Sequence, residues 1–164
     1  MFKILLFLFL GAIGLFVGAI VVVGLYDGFH GVNRFEQNRQ KEQGSVNAIE
    51  NMTGREFEVY CAGILKRNDF HDIEMTPTTG DQGVDIIAYR NGFKYAVQCK
   101  KYSSSVGNKS VQEVISGMTY YSCDAGLVMT NSYFTKSAIA LAEKANVALI
   151  DGEDIREFEN NKLI

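Results

Sequence analysis

A continuous apolar segment near the amino terminus is the first pattern along the chain. Residues Ile4 to Tyr26 run for 23 positions without a charged side chain. A helix of that length, at about 1.5 Å per residue, crosses the roughly 30 Å hydrocarbon core of a bilayer. A cleavable signal peptide has a shorter apolar core and a small-residue cleavage site, which this segment lacks. We therefore predict a retained transmembrane anchor at residues 1–26.

The charges that flank the predicted anchor indicate its orientation. Lys3 precedes it, whereas Arg34, Arg39 and Lys41 follow it, so the positive-inside rule favours a cytoplasmic carboxyl-terminal domain. The expected location is a plasma or inner membrane, crossed once. A GxxxG pair within the anchor, Gly14 and Gly18, offers a candidate contact for a homodimer, although chance explains it equally well.

After the anchor, residues 27–50 are polar and read as a juxtamembrane spacer, and residues 51–164 have the mixed composition of one globular domain. The start of its first helix is well signalled, because Thr53 and Glu56 have the spacing of a capping box. Phe57, Cys61, Ile64 and Leu65 then form one apolar face. This interpretation gives Glu56 a structural role and leaves Glu58 without one.

Two strand-like runs follow, Val84–Tyr89 and Phe93–Lys101, and Asn91-Gly92 between them predicts a type I′ hairpin. The other predicted elements are a strand at Asp72–Thr76, a helix at Lys109–Ser122, a strand at Ala125–Met129, a helix at Thr135–Ala145, a strand at Val147–Ile150 and a helix at Gly152–Phe158. A hairpin joined to βαβ-like units predicts an α/β fold, with a mixed β-sheet flanked by helices.

Composition adds little to this picture. The net charge of −3 and pI near 5.4 give no support to nucleic-acid binding. Residues Arg90 to Ser110 carry five basic and no acidic side chains, which on charge alone favours a solvated face over a phosphate-binding strip. Three cysteines without CxxC spacing suit a reducing compartment, and Cys61 and Cys99 are expected in the core.

The predicted hairpin brings polar side chains together. With Asn91 and Gly92 as the loop, Asp85 lies opposite Gln98, and Lys100 shares the face of Gln98. Buried polar groups of this kind require partners or a metal, and oxygen donors suit Mg²⁺. The alternative is a structural ion pair between Asp85 and Lys100 with Gln98 bridging them, and the pattern alone favours neither interpretation.

Three strings of the domain, GREFE from Gly54, GDQGVDI from Gly80 and QCKKY from Gln98, resemble successive motifs of Mrr-type restriction endonucleases, a branch of the PD-(D/E)xK nucleases. The similarity continues in order through residues 126–130, 134–138 and 149–152. It implies a restriction-endonuclease-like fold and a metal-dependent DNA endonuclease, a hydrolase of phosphodiester bonds. Restriction of foreign DNA is the candidate role.

The resemblance also implies roles for individual residues. Asp85, Gln98 and Glu58 would bind Mg²⁺ or Mn²⁺, and Lys100 would be the catalytic lysine. Gln98 stands where the wider superfamily has an acid, so metal affinity is expected to be low. Four further residues are candidate DNA contacts: Lys101, Tyr102, Lys109 and Gln112. The alternative function is a weak or inactive nuclease-fold module that tethers DNA, or a protein partner, to the membrane.

Overall fold

The computed structural model describes residue 44 and residues 48–77 and 80–160. The compact unit begins at Ala48, and Ile49 is already part of its core. The predicted anchor, with its glycine pair, lies outside the described residues. Within the described ranges, no helix combines the length and the hydrophobicity that crossing a bilayer requires.

The elements follow the predicted order, α-β-β-β-α-β-α-β-α. They are α1 (Gly54–Arg67), β1 (His71–Met75), β2 (Ile86–Arg90), β3 (Phe93–Lys100), α2 (Asn108–Tyr120), β4 (Ala125–Thr130), α3 (Lys136–Ala145), β5 (Val147–Ile150) and α4 (Gly152–Asn160). The strands form one sheet in the order β1-β2-β3-β4-β5. The β1–β2 and β2–β3 pairs are antiparallel and the other two are parallel, so the sheet is mixed, as predicted.

The predicted capping box and hairpin are both confirmed. The Thr53 side chain accepts a hydrogen bond from the Glu56 backbone N–H at 3.3 Å, and the Glu56 carboxylate accepts one from the Thr53 backbone N–H at 2.7 Å. Asn91 and Gly92 have φ values of 54° and 80°, the left-handed pair that a type I′ turn requires.

Strand β2 begins two residues later than predicted, because Val84 and Asp85 belong to the preceding turn. The backbone N–H of Val84 donates to the carbonyl of Asp81 at 3.1 Å. Gln82 and Gly83 have φ values of 54° and 76°, which is incompatible with a strand. Asp85 is therefore presented at the end of a tight turn.

The two faces of the sheet are covered by different helices. Strands β2–β4 pack on one face against α1, with Ile155 of α4, and Cys61 and Cys99 are buried there as expected. The opposite face packs against α2 and α3 through Val111, Val114 and Ala138. The domain thus has three layers, helices on both sides of a mixed sheet.

Candidate active site

Asp85 and Gln98 meet at the end of the hairpin, as predicted. Asp85 lies one residue before the regular β2–β3 ladder, in which Ile86 pairs with Val97. The Gln98 amide nitrogen Nε2 donates to Asp85 Oδ2 at 2.5 Å, and the Cys99 backbone N–H donates to the same oxygen at 2.6 Å. Two donors therefore fix this carboxylate, which is only 7% exposed.

The contact with Asp85 also orients the Gln98 amide. Because Asp85 Oδ2 accepts from Cys99, the group that Gln98 turns toward it must be the NH2 donor. The other end of the amide, Oε1, is buried and has no hydrogen-bond partner among the residues that the structure describes. A buried carbonyl oxygen of this kind is costly unless a donor or a cation reaches it.

Burial dominates the electrostatics of Asp85. It raises the pKa of this carboxyl, whereas the hydrogen bond from the Cys99 backbone lowers it. The charges of Glu58 and Asp81 also raise the pKa and the charge of Lys100 lowers it, so that the net pKa is about 6 instead of 3.8. At neutral pH the carboxylate is therefore ionised, although burying its charge costs free energy, and a bound cation would lower that cost.

Glu58 reaches this region from α1. Its side chain is 19% exposed and forms an ion pair with Arg55 at 2.7 Å. Its negative charge raises the pKa of Asp85. Glu56, two residues earlier, is occupied by the helix cap. The capping role predicted for Glu56 is thus confirmed, whereas Glu58 has a partner of its own in Arg55 and its part in the site stays a prediction.

Lys100 pairs with a residue that the sequence did not single out. Its Nζ lies 2.9 Å from Glu113 Oε2 on α2, and Lys109 approaches the other carboxylate oxygen at 3.7 Å. Burial, the largest single effect, lowers the pKa of Lys100, but the contact with Glu113 together with the charges of Asp85 and Tyr102 outweighs burial, so the net pKa is raised. Lys100 is thus a fixed cation, suited to stabilising negative charge rather than accepting a proton.

The structural alternative, an ion pair between Asp85 and Lys100, is not among the salt bridges of the described chain. The only sequence signal for Glu113 is its i,i+4 spacing from Lys109. That spacing indicates a surface pair and says nothing of Lys100, which lies on another element.

The four candidate DNA contacts occupy different settings. Lys101 Nζ donates to the Glu50 carbonyl at 2.9 Å, so it ties the segment before α1 to the end of β3. Tyr102 is 48% exposed, and Asn131 accepts from its backbone N–H at 2.8 Å. Lys109, with a side chain 88% exposed, and Gln112 lie at the start of α2 and face solvent.

The other basic residues of the strip lie at the opposite end of the hairpin. Lys94 Nζ donates to the Tyr121 carbonyl at 2.6 Å, and the Arg90 guanidinium lies 5.3 Å from the Phe70 ring centre. Lys94 and Lys100 are six positions apart on β3, about 20 Å at the rise of an extended chain. The strip is therefore two separate groups, Arg90 and Lys94 beside the hairpin turn, and Lys100, Lys101 and Lys109 beyond the other end of β3.

Asp81 has the local role expected of a turn aspartate. Its carboxylate accepts from the Gly83 backbone N–H at 3.0 Å. In the part of the chain described, no group of three or more His, Cys, Asp or Glu side chains is arranged around a common point. The candidate metal ligands are instead a mixed set, two carboxylates and the free oxygen of Gln98.

The donor chemistry of this set fits a hard divalent cation. Both hydrogen bonds to Asp85 use Oδ2, which leaves Oδ1 as its available oxygen, next to the amide that carries Gln98 Oε1. Mg²⁺ prefers such oxygens and retains several waters, so few protein ligands suffice. A mixed sheet between helices, with these groups at the hairpin end, defines the restriction-endonuclease-like class of nuclease domains.

Comparison with known proteins agrees with this class. The family model of the Mrr catalytic domain, described as a restriction endonuclease, matches residues 49–158. The chain therefore belongs to this restriction endonuclease family. No curated protein matches it significantly.

Solved structures show the same fold. The chain is similar to the DNA modification-dependent restriction endonuclease AspBHI, with 21% identity, a TM-score of 0.57 and coverage of 73% of this chain and 35% of that one. It is also similar to the MspJI restriction endonuclease in complex with a 27-mer oligonucleotide, with 18% identity, a TM-score of 0.55 and coverage of 71% of this chain and 29% of that one. For AF1548, a protein of unknown function, the identity is 17%, the TM-score is 0.52, and the coverage is 63% of this chain and 65% of that one. This chain thus spans less than two thirds of each of them.

Proposed function

We propose that this chain is a divalent-metal-dependent endonuclease that hydrolyses phosphodiester bonds in DNA. The observation that carries the proposal is the Gln98 amide, whose NH2 group is held by Asp85 while its buried carbonyl oxygen has no partner among the described residues. A buried amide oxygen that lacks a donor costs free energy, and a cation bound there would lower that cost. Its place beside an ionised carboxylate therefore favours a metal ligand.

The residues of the site would divide the work. Asp85, Gln98 and Glu58 would hold Mg²⁺ or Mn²⁺. When bound, such an ion polarises a phosphate oxygen and lowers the pKa of a coordinated water. Lys100, whose raised pKa keeps it protonated, would stabilise the negative charge that develops on the phosphate. Lys101, Lys109, Tyr102 and Gln112 would contact the DNA around the cleavage position.

Plasmid cleavage tests the proposal. A fragment of residues 47–164, which includes the whole compact unit, is incubated with supercoiled DNA and Mg²⁺ or Mn²⁺, beside Asp85→Ala and Lys100→Ala. Cleavage by the wild type alone supports the proposed site. If the wild type binds DNA but does not cleave it, the result would instead favour the tethering module. If it neither binds nor cleaves DNA, the result would favour a role in protein contacts.

We further propose that the enzyme acts at the cytoplasmic face of a membrane, anchored by residues 4–26. The support is the length of the uncharged segment and the basic residues that follow it. Fractionation of cells that express the full chain tests the anchor. Recovery in the membrane pellet after an alkaline carbonate wash is the expected result, and recovery in the supernatant would refute it. Protease added to intact spheroplasts should leave the nuclease domain uncut.

A further inference from the structure

Glu113 occupies a place in the site that neither the motifs nor the family resemblance assigns. Its Oε2 is a buried oxygen that forms an ion pair with the Lys100 ammonium at 2.9 Å, although the angles of this contact are not those of a hydrogen bond. The side chains of Glu113 and Lys100 are 29% and 20% exposed. The contact therefore differs from a solvated surface pair, which contributes little because water competes for both charges.

The backbone that carries Glu113 is fixed against the turn before Asp85. A Cβ atom added at Gly83 would lie 2.7 Å from Glu113 Cβ, and one added at Gly117 would lie 2.1 Å from Val84 Cγ2. Two glycines, one on the turn and one on α2, thus allow the helix and the turn to touch. Because the same turn ends in Asp85, the position of Glu113 is tied to the candidate metal ligands.

Lys100 would be poorly placed without this partner. A lysine side chain has four rotatable bonds and about 2 kcal/mol of rotamer entropy, so a free ammonium occupies many positions. Charge stabilisation in a transition state depends on groups that are already in place, and a misplacement of about 1 Å costs roughly 100-fold in rate. The ammonium has three N–H donors, so a contact with Glu113 leaves two for a phosphate.

We propose that Glu113 is a positioning residue that holds Lys100 at the point where the phosphate is cleaved. The inference rests on the proposed nuclease function. It assigns to α2 a part in the site beyond DNA contact, and it links Lys100 to the turn that carries Asp85. Lys109, at 3.7 Å from the same carboxylate, lies on the solvent side of this link.

The test uses the full chain and two variants, Glu113→Gln and Glu143→Gln. The second makes the same chemical change at an exposed glutamate of α3. We expect Glu113→Gln to lower kcat for plasmid cleavage by about 10- to 100-fold, with KM, Mn²⁺ affinity and melting temperature near those of the wild type. Glu143→Gln should leave all four quantities unchanged. A kcat within twofold of the wild type would overturn the proposal, as would a loss that only follows unfolding.

A second readout does not depend on cleavage. Acylation of lysines by a water-soluble ester, followed by mass spectrometry, should modify Lys100 several times faster in Glu113→Gln than in the wild type. Lys94, held by the Tyr121 carbonyl, should react equally in both. If the wild type cleaves no DNA but this difference is found, the nuclease function fails and the restraint on Lys100 stands. Equal rates at Lys100 would refute the restraint itself.

Discussion

The most informative perturbation of the site is Asp85→Asn, because it should raise stability while it removes activity. The substituted amide keeps an oxygen that can accept from Gln98 Nε2 and Cys99 N–H, and it has almost the shape of the carboxylate. It adds an NH2 group to a site where the carbonyl oxygen of Gln98 has no partner among the described residues. What disappears is a buried negative charge.

The size of the effect follows from the pKa of Asp85. A rise from 3.8 to about 6 on folding corresponds to about 3 kcal/mol, at 1.36 kcal/mol per pKa unit. The folded state prefers the protonated form, so the contribution of this group to stability is fully present below about pH 3.8. It is lost as the pH rises through about 6. Near pH 7.5 the wild type therefore carries a penalty that Asp85→Asn lacks.

The assay is chemical denaturation of both proteins in EDTA between pH 4 and pH 7.5. The difference between their free energies of unfolding cancels the other titrating groups, which are common to both. We expect a small difference near pH 4 that grows to at most about 3 kcal/mol in favour of Asp85→Asn near pH 7.5. Mg²⁺ should then stabilise the wild type and leave the variant unchanged. A difference independent of pH, or a variant less stable at pH 7.5, would refute the reasoning.

Three other substitutions test separate parts of the site. Lys100→Ala should lower cleavage by at least about 100-fold, since a fixed cation is lost from the developing charge, with DNA binding retained in a gel-shift assay. Gln98→Glu should bind Mn²⁺ more tightly by calorimetry and unfold more easily in EDTA, by about 1–3 kcal/mol, because two carboxylates then share one buried site; unchanged stability would contradict this. Gly117→Ala should lower the free energy of unfolding by about 1–3 kcal/mol and reduce cleavage, because the added Cβ would clash with Val84. An unchanged melting temperature and activity would show that α2 shifts to make room for the methyl group.

Local sequence rules predicted the parts of the fold that depend on near neighbours. The capping box at Thr53 and the turn at Asn91 are each decided within four residues, and the hairpin turn then brings Asp85 to Gln98. Glu113 could not be predicted in this way. Its contact with Lys100 depends on how α2 lies across the sheet, which is determined by close packing at Gly83 and Gly117.

The early start of the folded unit has a similar explanation. Residues 48–51 are helical and Ile49 is 7% exposed, whereas the sequence pattern placed the spacer up to residue 50. Lys101, which is 51 positions further along the chain, donates a hydrogen bond to the Glu50 carbonyl. The few apolar residues of this largely polar segment do not form a sustained helical pattern, so only the tertiary contact reveals that residues 48–51 belong to the domain.

The amide at position 98 reconciles the need for negative charge with the cost of burying it. A second carboxylate within hydrogen-bond reach of Asp85 would push one of the two pKa values far higher, because like charges cannot both ionise cheaply in a buried site. With Gln98, the pKa of Asp85 stops at about 6, so the carboxylate is ionised at neutral pH before any metal arrives. The same exchange removes one charge that would attract a cation. A phosphate of bound DNA can supply that charge, and metal affinity should therefore be greatest when DNA is already in the site.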